Sequence, residues 1–175
     1  AMSWDKKLAY DVGVKWAQEV KASPEKINIL NRPGMNLKRS PLCGRNYDYL
    51  SEDPVQTGIL AAEYVKGIQS QGIGACPKHF LANNQEFDRM NTDSVISERV
   101  LHEVYLRPWK KMIQEAQPWM IMTSYNKVNG EWVNSSKECM KLLREEIGYE
   151  GVVVSDFLAI HHNKVAAHRN QMDIE

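Results

Sequence analysis

The stretch from Gly151 to Phe157 constrains the fold of this chain more than any other. It reads Gly-Val-Val-Val-Ser-Asp-Phe, a short β-branched run that is apolar on both faces. Such a run is typical of a strand buried on both sides in a parallel sheet, covered by helices. Because chemistry in α/β folds gathers at the carboxyl ends of strands, Asp156 suits the position of a catalytic carboxylate. On this stretch alone a second interpretation stays open, in which Ser155 and Asp156 cap a following helix.

Helical and strand-like patterns alternate along the rest of the chain. We predict helices over 4–21, 54–71, 94–116, 135–147 and 158–169, the third of them kinked or divided at Pro108. We predict strands over 27–30, 74–80, 119–125 and 151–155, with a fifth starting at 172–175. Polar loops over 35–53 and 81–93 follow the first two strands, and loops of that length are usually functional. The sequence therefore predicts a single α/β domain over residues 1–175 with a parallel sheet.

Composition and charge argue against several classes of function. The 22 basic and 22 acidic residues give a net charge of zero, so charge favours neither nucleic acid nor an anionic membrane as a partner. No apolar run reaches the roughly 18 residues of a membrane span, and no glycine-rich phosphate cradle is present. The cysteines Cys43, Cys76 and Cys139 match no metal or disulfide pattern and favour a reducing compartment.

From this we expect a protein with no cofactor and no metal. The pair His161-His162 is interpreted as part of a helix surface, because no second ligand cluster accompanies it. We expect a cytoplasmic location, with a secreted or periplasmic one left open if a leader has been removed.

Polar side chains stand at the ends of four predicted strands. They are Arg39 and Arg45 after the first strand, Lys78 and His79 on the second, Tyr125 and Asn126 on the third, and Asp156 on the fourth. Lysine and arginine can hydrogen-bond hydroxyl oxygens and keep a nearby carboxylate ionised. An ionised carboxylate held among them could attack an anomeric carbon and form a glycosyl-enzyme. Each group alone also fits an exposed strand end or a loop salt bridge, but four successive strand ends favour a site.

Five ordered motifs resemble those of glycoside hydrolase family 3 β-glucosidases. Residues 34–54 resemble the sugar-binding loop of that family. The later motifs are Lys78-His79-Phe80, Asn83-Asn84-Gln85-Glu86, Met122 to Asn126 with Asn129-Gly130, and Val154-Ser155-Asp156-Phe157. The resemblance runs from about residue 8 to residue 175. It implies a partial (β/α)8 barrel of the TIM-barrel type, truncated at both ends.

The resemblance also implies roles for individual residues. Asp156 matches the nucleophile of a retaining mechanism that acts on terminal β-linked sugars. The matches implied to bind the sugar or line its pocket are Arg45, Lys78, His79, Arg89, Tyr125 and Phe157. Phe157 stands where the family usually has Trp, a change expected to affect affinity or specificity more than chemistry.

Two features of the family are not matched. No Asp-Gly-Pro occurs, and the family's general acid/base is normally a Glu on a separate domain beyond the barrel. Retaining chemistry needs two carboxyl groups about 5–5.5 Å apart. Glu86 and Glu131 are loop carboxylates for which surface solvation is the plainer interpretation.

Three functions remain open at this point. The chain could be a β-glucosidase-type hydrolase with weak or partner-dependent activity, a non-catalytic carbohydrate-binding remnant, or a structural half-barrel. Open sheet edges at the two ends of a partial barrel predict a homo-oligomer, or strands and a C-terminal domain supplied by another chain.

Overall fold

The computed structural model describes residues 3–160 and 163–175, in which helices and strands alternate. The helices are α1 (Lys6–Ala22), α2 (Pro54–Gln69), α3 (Glu98–Val100), α4 (Arg107–Ala116), α5 (Lys137–Lys141) and α6 (Lys164–Arg169). π-helical turns at Leu101–Tyr105 and Leu142–Glu146 continue α3 and α5. The strands are β1 (Ile29–Leu30), β2 (Gly74–Ala75), β3 (Lys78–Phe80), β4 (Asp93–Ser94), β5 (Met120–Thr123), β6 (Lys127–Val128), β7 (Glu131–Trp132) and β8 (Val152–Val154). Within the described ranges no helix combines the length and apolar character that crossing a membrane requires.

Side-chain caps explain where three of the helices begin. The carboxylates of Asp5 and Asp53 and the hydroxyl of Ser136 each accept a backbone N–H from the first turn of α1, α2 and α5. Pro54 occupies the first turn of α2, where the missing N–H removes no helical hydrogen bond. The predicted starts of these helices are confirmed to within two residues.

The principal sheet is parallel, and its neighbours follow chain order. β1 pairs with β2, and β5 lies between β3 and β8, all in parallel. Gly34 bridges Lys78 in parallel, so the segment after β1 runs alongside β3. At the other side, Val154 bridges Ile174, which confirms the predicted start of a further strand at 172–175. Successive helix–strand units therefore place the carboxyl ends of neighbouring strands along one rim, as in a (β/α)8 barrel.

A second, smaller sheet was not predicted. β4 pairs in parallel with β6, and β6 forms an antiparallel hairpin with β7. Asn129 and Gly130 connect this hairpin with φ angles of 51° and 92°, the left-handed values that an Asn-Gly turn favours. The polar loop predicted over 81–93 therefore ends in a strand of this sheet.

The predicted helix over 94–116 and the predicted strand over 74–80 are both divided. Ser94 lies in β4, and the helical residues begin only at Glu98. Pro108 stands in the first turn of α4, since its ring cannot follow a regular helical turn. In the predicted strand, Pro77 separates β2 from β3, because proline has no N–H to donate to the ladder.

The predicted helix over 158–169 is wrong in its first part. α6 begins at Lys164, where the side chain of Asn163 accepts the N–H of Ala166. Residues 157 and 158 form a turn, and residues 159 and 160 are not helical. The histidine pair at 161–162 lies outside the described residues.

Two glycines allow α1 and α2 to cross closely. A Cβ atom built on Gly13 would lie 2.5 Å from the carbonyl oxygen of Tyr64, and one built on Gly67 would lie 2.2 Å from that of Tyr10. Each glycine therefore faces the backbone of the opposite helix, where no side chain can move aside. Both residues are therefore required by the packing of the two helices.

We expect Gly67→Ala to lower the free energy of unfolding by about 1–3 kcal/mol, because the added methyl group meets the α1 backbone. Helix propensity alone predicts the opposite sign, a gain of about 0.5–1 kcal/mol. Urea denaturation of the two proteins measures the difference. Gly44→Ala is the control, since its new Cβ would meet nothing closer than the Glu86 side chain at 3.7 Å. A stabilising Gly67→Ala would contradict the close crossing.

Candidate active site

The residues predicted at the strand ends come together at the carboxyl rim of the principal sheet. Parallel pairing of β3, β5 and β8 places Lys78, Thr123 and Val154 on neighbouring strands. His79 lies within β3, and Asp156 follows β8 by two residues. Ser155 continues the sheet by donating its N–H to the carbonyl of Ile174 at 3.0 Å. The Asp156 side chain leaves the sheet at this rim.

The central contact joins Asp156 to His79. The Oδ2 atom of Asp156 lies 3.2 Å from the Nε2 atom of His79, whose side chain is only 1% exposed. Because a carboxylate can only accept a hydrogen bond, we assign the hydrogen of the neutral ring to Nε2, which donates it to Asp156. The Arg45 guanidinium, which can only donate, then contacts Nε2 without a hydrogen bond. Burial lowers the pKa of His79 despite the neighbouring carboxylate, so the ring is neutral at pH 7. The interpretation of His79 as an exposed strand end is wrong.

Asp156 is ionised in this environment. Burial by itself raises the pKa of the Asp156 carboxyl. Donors at His79 and at the backbone N–H of Phe157 outweigh burial, and the pKa of Asp156 lies below its ordinary value. The Phe157 N–H lies 2.8 Å from the Oδ1 atom. No helix begins here, since α6 is capped by Asn163, so the interpretation of Asp156 as a helix cap is wrong.

Arg45 reaches the same point from the loop over 35–53. Its Nη1 atom lies 3.2 Å from Nε2 of His79, and its Nη2 atom forms an ion pair of 2.6 Å with Asp48. Burial disfavours the charged guanidinium, but the hydrogen bond and charge of Asp48 outweigh it and raise the pKa of Arg45. Arg45 is therefore a loop salt bridge and also a cation facing the site.

Lys78 supplies a second cation with no partner of its own. Within the described residues, no hydrogen bond or ion pair involves its ammonium group. Burial lowers the pKa of Lys78, and the charge of Arg45 adds to this effect. The carboxylates of Asp48 and Asp156 act in the opposite direction. An ammonium group with unused donors beside an ionised carboxylate can bind a hydroxyl oxygen.

Tyr125 and Arg89 close one side of the site. The Tyr125 hydroxyl donates to the carbonyl of Phe157 at 2.8 Å. Burial and the charge of Asp156 raise the pKa of Tyr125, so this hydroxyl remains a donor. The Arg89 guanidinium lies 4.4 Å from the centre of the Tyr125 ring and pairs with Glu86 at 2.9 Å. Glu86 is thus a partner of Arg89 and not simply a solvated carboxylate.

The Phe157 ring differs from the other predicted site residues because it points into solvent. Its backbone N–H donates to the Asp156 carboxylate and its carbonyl accepts from the Tyr125 hydroxyl. The residue is nevertheless 78% exposed. Other apolar side chains on the loops of the rim are similarly exposed: Leu42, Tyr47 and Phe87. The structure therefore brings together Arg45, Lys78, His79, Arg89, Tyr125 and Asp156, and leaves the ring of Phe157 outside this cluster.

Two residues that support this cluster are not predicted from the sequence. Asp48 holds Arg45, and its position three residues further along the loop is a spacing at which such a pair can form. Asn36 binds the backbone of His79 through both ends of its amide. No spacing rule indicates that contact, because it joins segments that are far apart in the sequence.

The cluster contains the parts needed for nucleophilic chemistry on a sugar. An ionised carboxylate stands among donors from Arg45, Lys78, His79 and Tyr125, at the rim where barrel enzymes carry their active sites. Among the residues that the structure describes, no group of three or more histidine, cysteine, aspartate or glutamate side chains is arranged to hold a metal ion. A barrel-type sheet with this rim is typical of a glycoside hydrolase domain.

The chain belongs to glycosyl hydrolase family 3. Residues 1–173 match the family model described as "Glycosyl hydrolase family 3 N terminal domain". The chain is 44% identical over 176 residues to thermostable beta-glucosidase B of Acetivibrio thermocellus, covering 100% of this chain and 23% of that protein. It is 44% identical over 162 residues to an exo-alpha-(1->6)-L-arabinopyranosidase of Bifidobacterium longum, covering 91% of this chain and 21% of that protein.

Solved structures agree with this assignment. Beta-glucosidase 3B of Thermotoga neapolitana in complex with glucose superposes with a TM-score of 0.93 at 45% identity, over 98% of this chain and 24% of that one. A family 3 beta-glucosidase of Bifidobacterium adolescentis gives a TM-score of 0.94 at 42% identity, over 99% and 25%. The chain thus spans about a quarter of the length of these relatives. The predicted family and barrel-type fold are confirmed.

The burial of His79 predicts how stability depends on pH. Its pKa is lower in the folded state than the ordinary 6.5, so the unfolded chain takes up a proton first. The stability contributed by a neutral His79 is therefore present above about pH 6.5 and lost as the pH falls below it. We expect the free energy of unfolding to fall from about pH 7.5 to about pH 5.5, and to fall less in His79→Gln.

Urea denaturation at the two pH values measures both slopes. His102→Gln is the control, because it removes a histidine outside the site and leaves His79 in place. Equal slopes in the wild type and His79→Gln would contradict a buried neutral ring.

Proposed function

We propose that this chain carries the nucleophile and sugar-binding groups of a retaining β-glucosidase-type site. One observation carries the proposal, the contact between the ionised carboxylate of Asp156 and His79 beside the cations Arg45 and Lys78. The names of the relatives support the substrate class, since several are beta-glucosidases and two solved relatives hold glucose.

Each group has a chemical role in this proposal. Asp156 attacks the anomeric carbon of a terminal β-linked sugar, the leaving-group oxygen departs, and a covalent glycosyl-enzyme forms. Arg45 and Lys78 bind sugar hydroxyls, with Arg89 and Tyr125 beside them. His79 contacts the nucleophile and keeps it oriented. Phe157 lies on the open side, where its exposed ring can stack on a sugar or on the leaving group.

A second carboxyl group is needed to protonate the leaving group and later to activate water. Such an acid/base lies about 5–5.5 Å from the nucleophile in retaining enzymes. Glu86 is paired with Arg89 and with the amide of Asn83, and Glu131 accepts the hydroxyl of Ser136 at 2.6 Å. Both carboxylates are thus held by other partners, and neither contacts Asp156. We propose that the acid/base comes from outside residues 1–175 and that these residues alone have weak activity.

A good leaving group makes the nucleophile testable without the acid. We expect slow release of a nitrophenol from an aryl β-glucoside by the wild-type chain, since such a leaving group needs little protonation. Asp156→Ala should lower that rate by at least about 10³-fold, because it removes the nucleophile. Added azide should restore turnover in Asp156→Ala, since a small anion can enter the space left by the carboxylate.

A control variant completes that experiment. Asp11→Ala removes an exposed carboxylate on α1 and should leave the rate unchanged. An Asp156→Ala protein with the wild-type rate would show that Asp156 is not the nucleophile.

If no hydrolysis occurs, calorimetric titration with glucose tests the remaining carbohydrate-binding function. Glucose binding that is lost in Lys78→Ala supports it, and no binding by the wild type leaves a structural half-barrel.

We further propose that the open edges of the principal sheet pair with a second copy of this chain. In the described ranges no strand pairs with the outer edge of β1, and none lies beyond Ile174. Unpaired edges expose N–H and C=O groups that another strand can satisfy.

Sedimentation tests this assembly. We expect the chain at micromolar concentration to sediment as a dimer or a larger oligomer, because pairing at both edges buries backbone donors and acceptors. A monomer of 20.1 kDa would overturn the proposal. That result would favour strands supplied by a different chain or segment.

A further inference from the structure

His79 occupies an irregular position in the principal sheet. In the ladder between β3 and β5, Lys78 pairs with Met122 and Phe80 with Thr123, so the register shifts between them. The residue between them, His79, therefore pairs with no residue of β5. Its N–H and C=O are buried, and buried backbone groups without partners are rare in folded proteins.

The side chain of Asn36 fills this gap. Its Nδ2 atom donates to the carbonyl oxygen of His79 at 2.9 Å, and its Oδ1 atom accepts the N–H of His79 at 3.0 Å. A carboxamide offers one donor side and one acceptor side, as a peptide group does, so it can replace a neighbouring strand. Asn36 is itself only 3% exposed, which leaves its amide no solvent alternative.

The backbone before Asn36 is fixed against the same strand. Lys78 donates its N–H to the carbonyl of Pro33 at 2.9 Å, and Met35 donates to the carbonyl of Lys78 at 2.6 Å. Gly34 lies between these bonds, and a Cβ there would lie 2.7 Å from the carbonyl oxygen of Asp48. The close approach of this segment to the loop that carries Arg45 therefore requires glycine.

We infer that Asn36 is a positioning residue for the nucleophile, which it serves by holding the backbone of His79 at two points. The imidazole then projects from a fixed backbone so that Nε2 stands 3.2 Å from Asp156 and 3.2 Å from Arg45. The catalytic meaning of this inference rests on the proposed function of Asp156. The two hydrogen bonds between Asn36 and the backbone of His79 are independent of that function.

The chain contains a matched control at Asn129. Its amide makes the same two bonds to the backbone of Ile96, accepting the N–H at 2.8 Å and donating to the C=O at 3.0 Å. Asn129 lies in the hairpin of the small sheet, and its hydrogen bonds go to Ile96 and Ser94, not to the candidate site residues. In both Asn36→Asp and Asn129→Asp, the oxygen that accepts the backbone N–H is kept. The amide group that donates to the backbone C=O is replaced by a carboxylate oxygen, which cannot donate.

The test compares the two variants with the wild type. With an aryl β-glucoside we expect Asn36→Asp to lower kcat by about tenfold with little change in KM, since one buried hydrogen bond is lost and the nucleophile is misplaced. Carboxyl carbon NMR should show the pKa of Asp156 moving up towards its ordinary value in Asn36→Asp. Asn129→Asp should leave both quantities unchanged.

Amide hydrogen exchange adds a measurement on the wild type. We expect the His79 amide to be protected although His79 pairs with no residue of β5. An unprotected His79 amide would overturn the inference even if Asn36→Asp does not fold. An Asp156 titration identical in Asn36→Asp and the wild type would also overturn it. If the wild type hydrolyses nothing, the proposed function fails, while the Asp156 titration and amide exchange still decide the role of Asn36.

Discussion

The parallel pairing of β3, β5 and β8 is the constraint on which the rest of the site depends. Parallel strands point their carboxyl ends the same way, so side chains that follow them meet at one rim. That pairing places His79 beside Asp156 although the two are far apart in the chain. The helices pack on one another, α1 on α2 and α2 on α4, and α2 also contacts β2. Without this register the cationic groups would be scattered surface charges.

Burial and hydrogen bonding act in opposite directions at the site, and the balance differs between residues. At His79 burial outweighs the neighbouring carboxylate, and the ring stays neutral. At Asp156 several donors outweigh burial, and the carboxylate stays ionised. A neutral donor beside an ionised acceptor gives a directed hydrogen bond without neutralising the nucleophile. Asp48 has a comparable effect on Arg45, because it compensates for the burial of the guanidinium.

Local signals in the sequence predicted most of the regular structure. Caps at Asp5, Asp53 and Ser136 begin helices because their oxygens bind N–H groups only a few residues away. The small sheet was missed because β4 and β6 are brief and pair across a long separation. The early part of the predicted last helix was wrong for a related reason. The backbone N–H of Phe157 donates to the Asp156 side chain and that of Ala159 donates to the Asp156 carbonyl, so the segment forms a turn.

The sequence by itself determined the family, the barrel-type α/β class and the residue types that gather at the strand ends. Those features depend on periodicity, on local turn chemistry and on ordered motifs, all of which are contiguous in the chain. Only the tertiary structure decided that Phe157 points outward, that Asp48 holds Arg45 and that Asn36 supports His79. These contacts arise where a strand ladder shifts or a loop folds back. Their partners are chosen by burial and by the need to satisfy hydrogen bonds, and no local pattern records that choice.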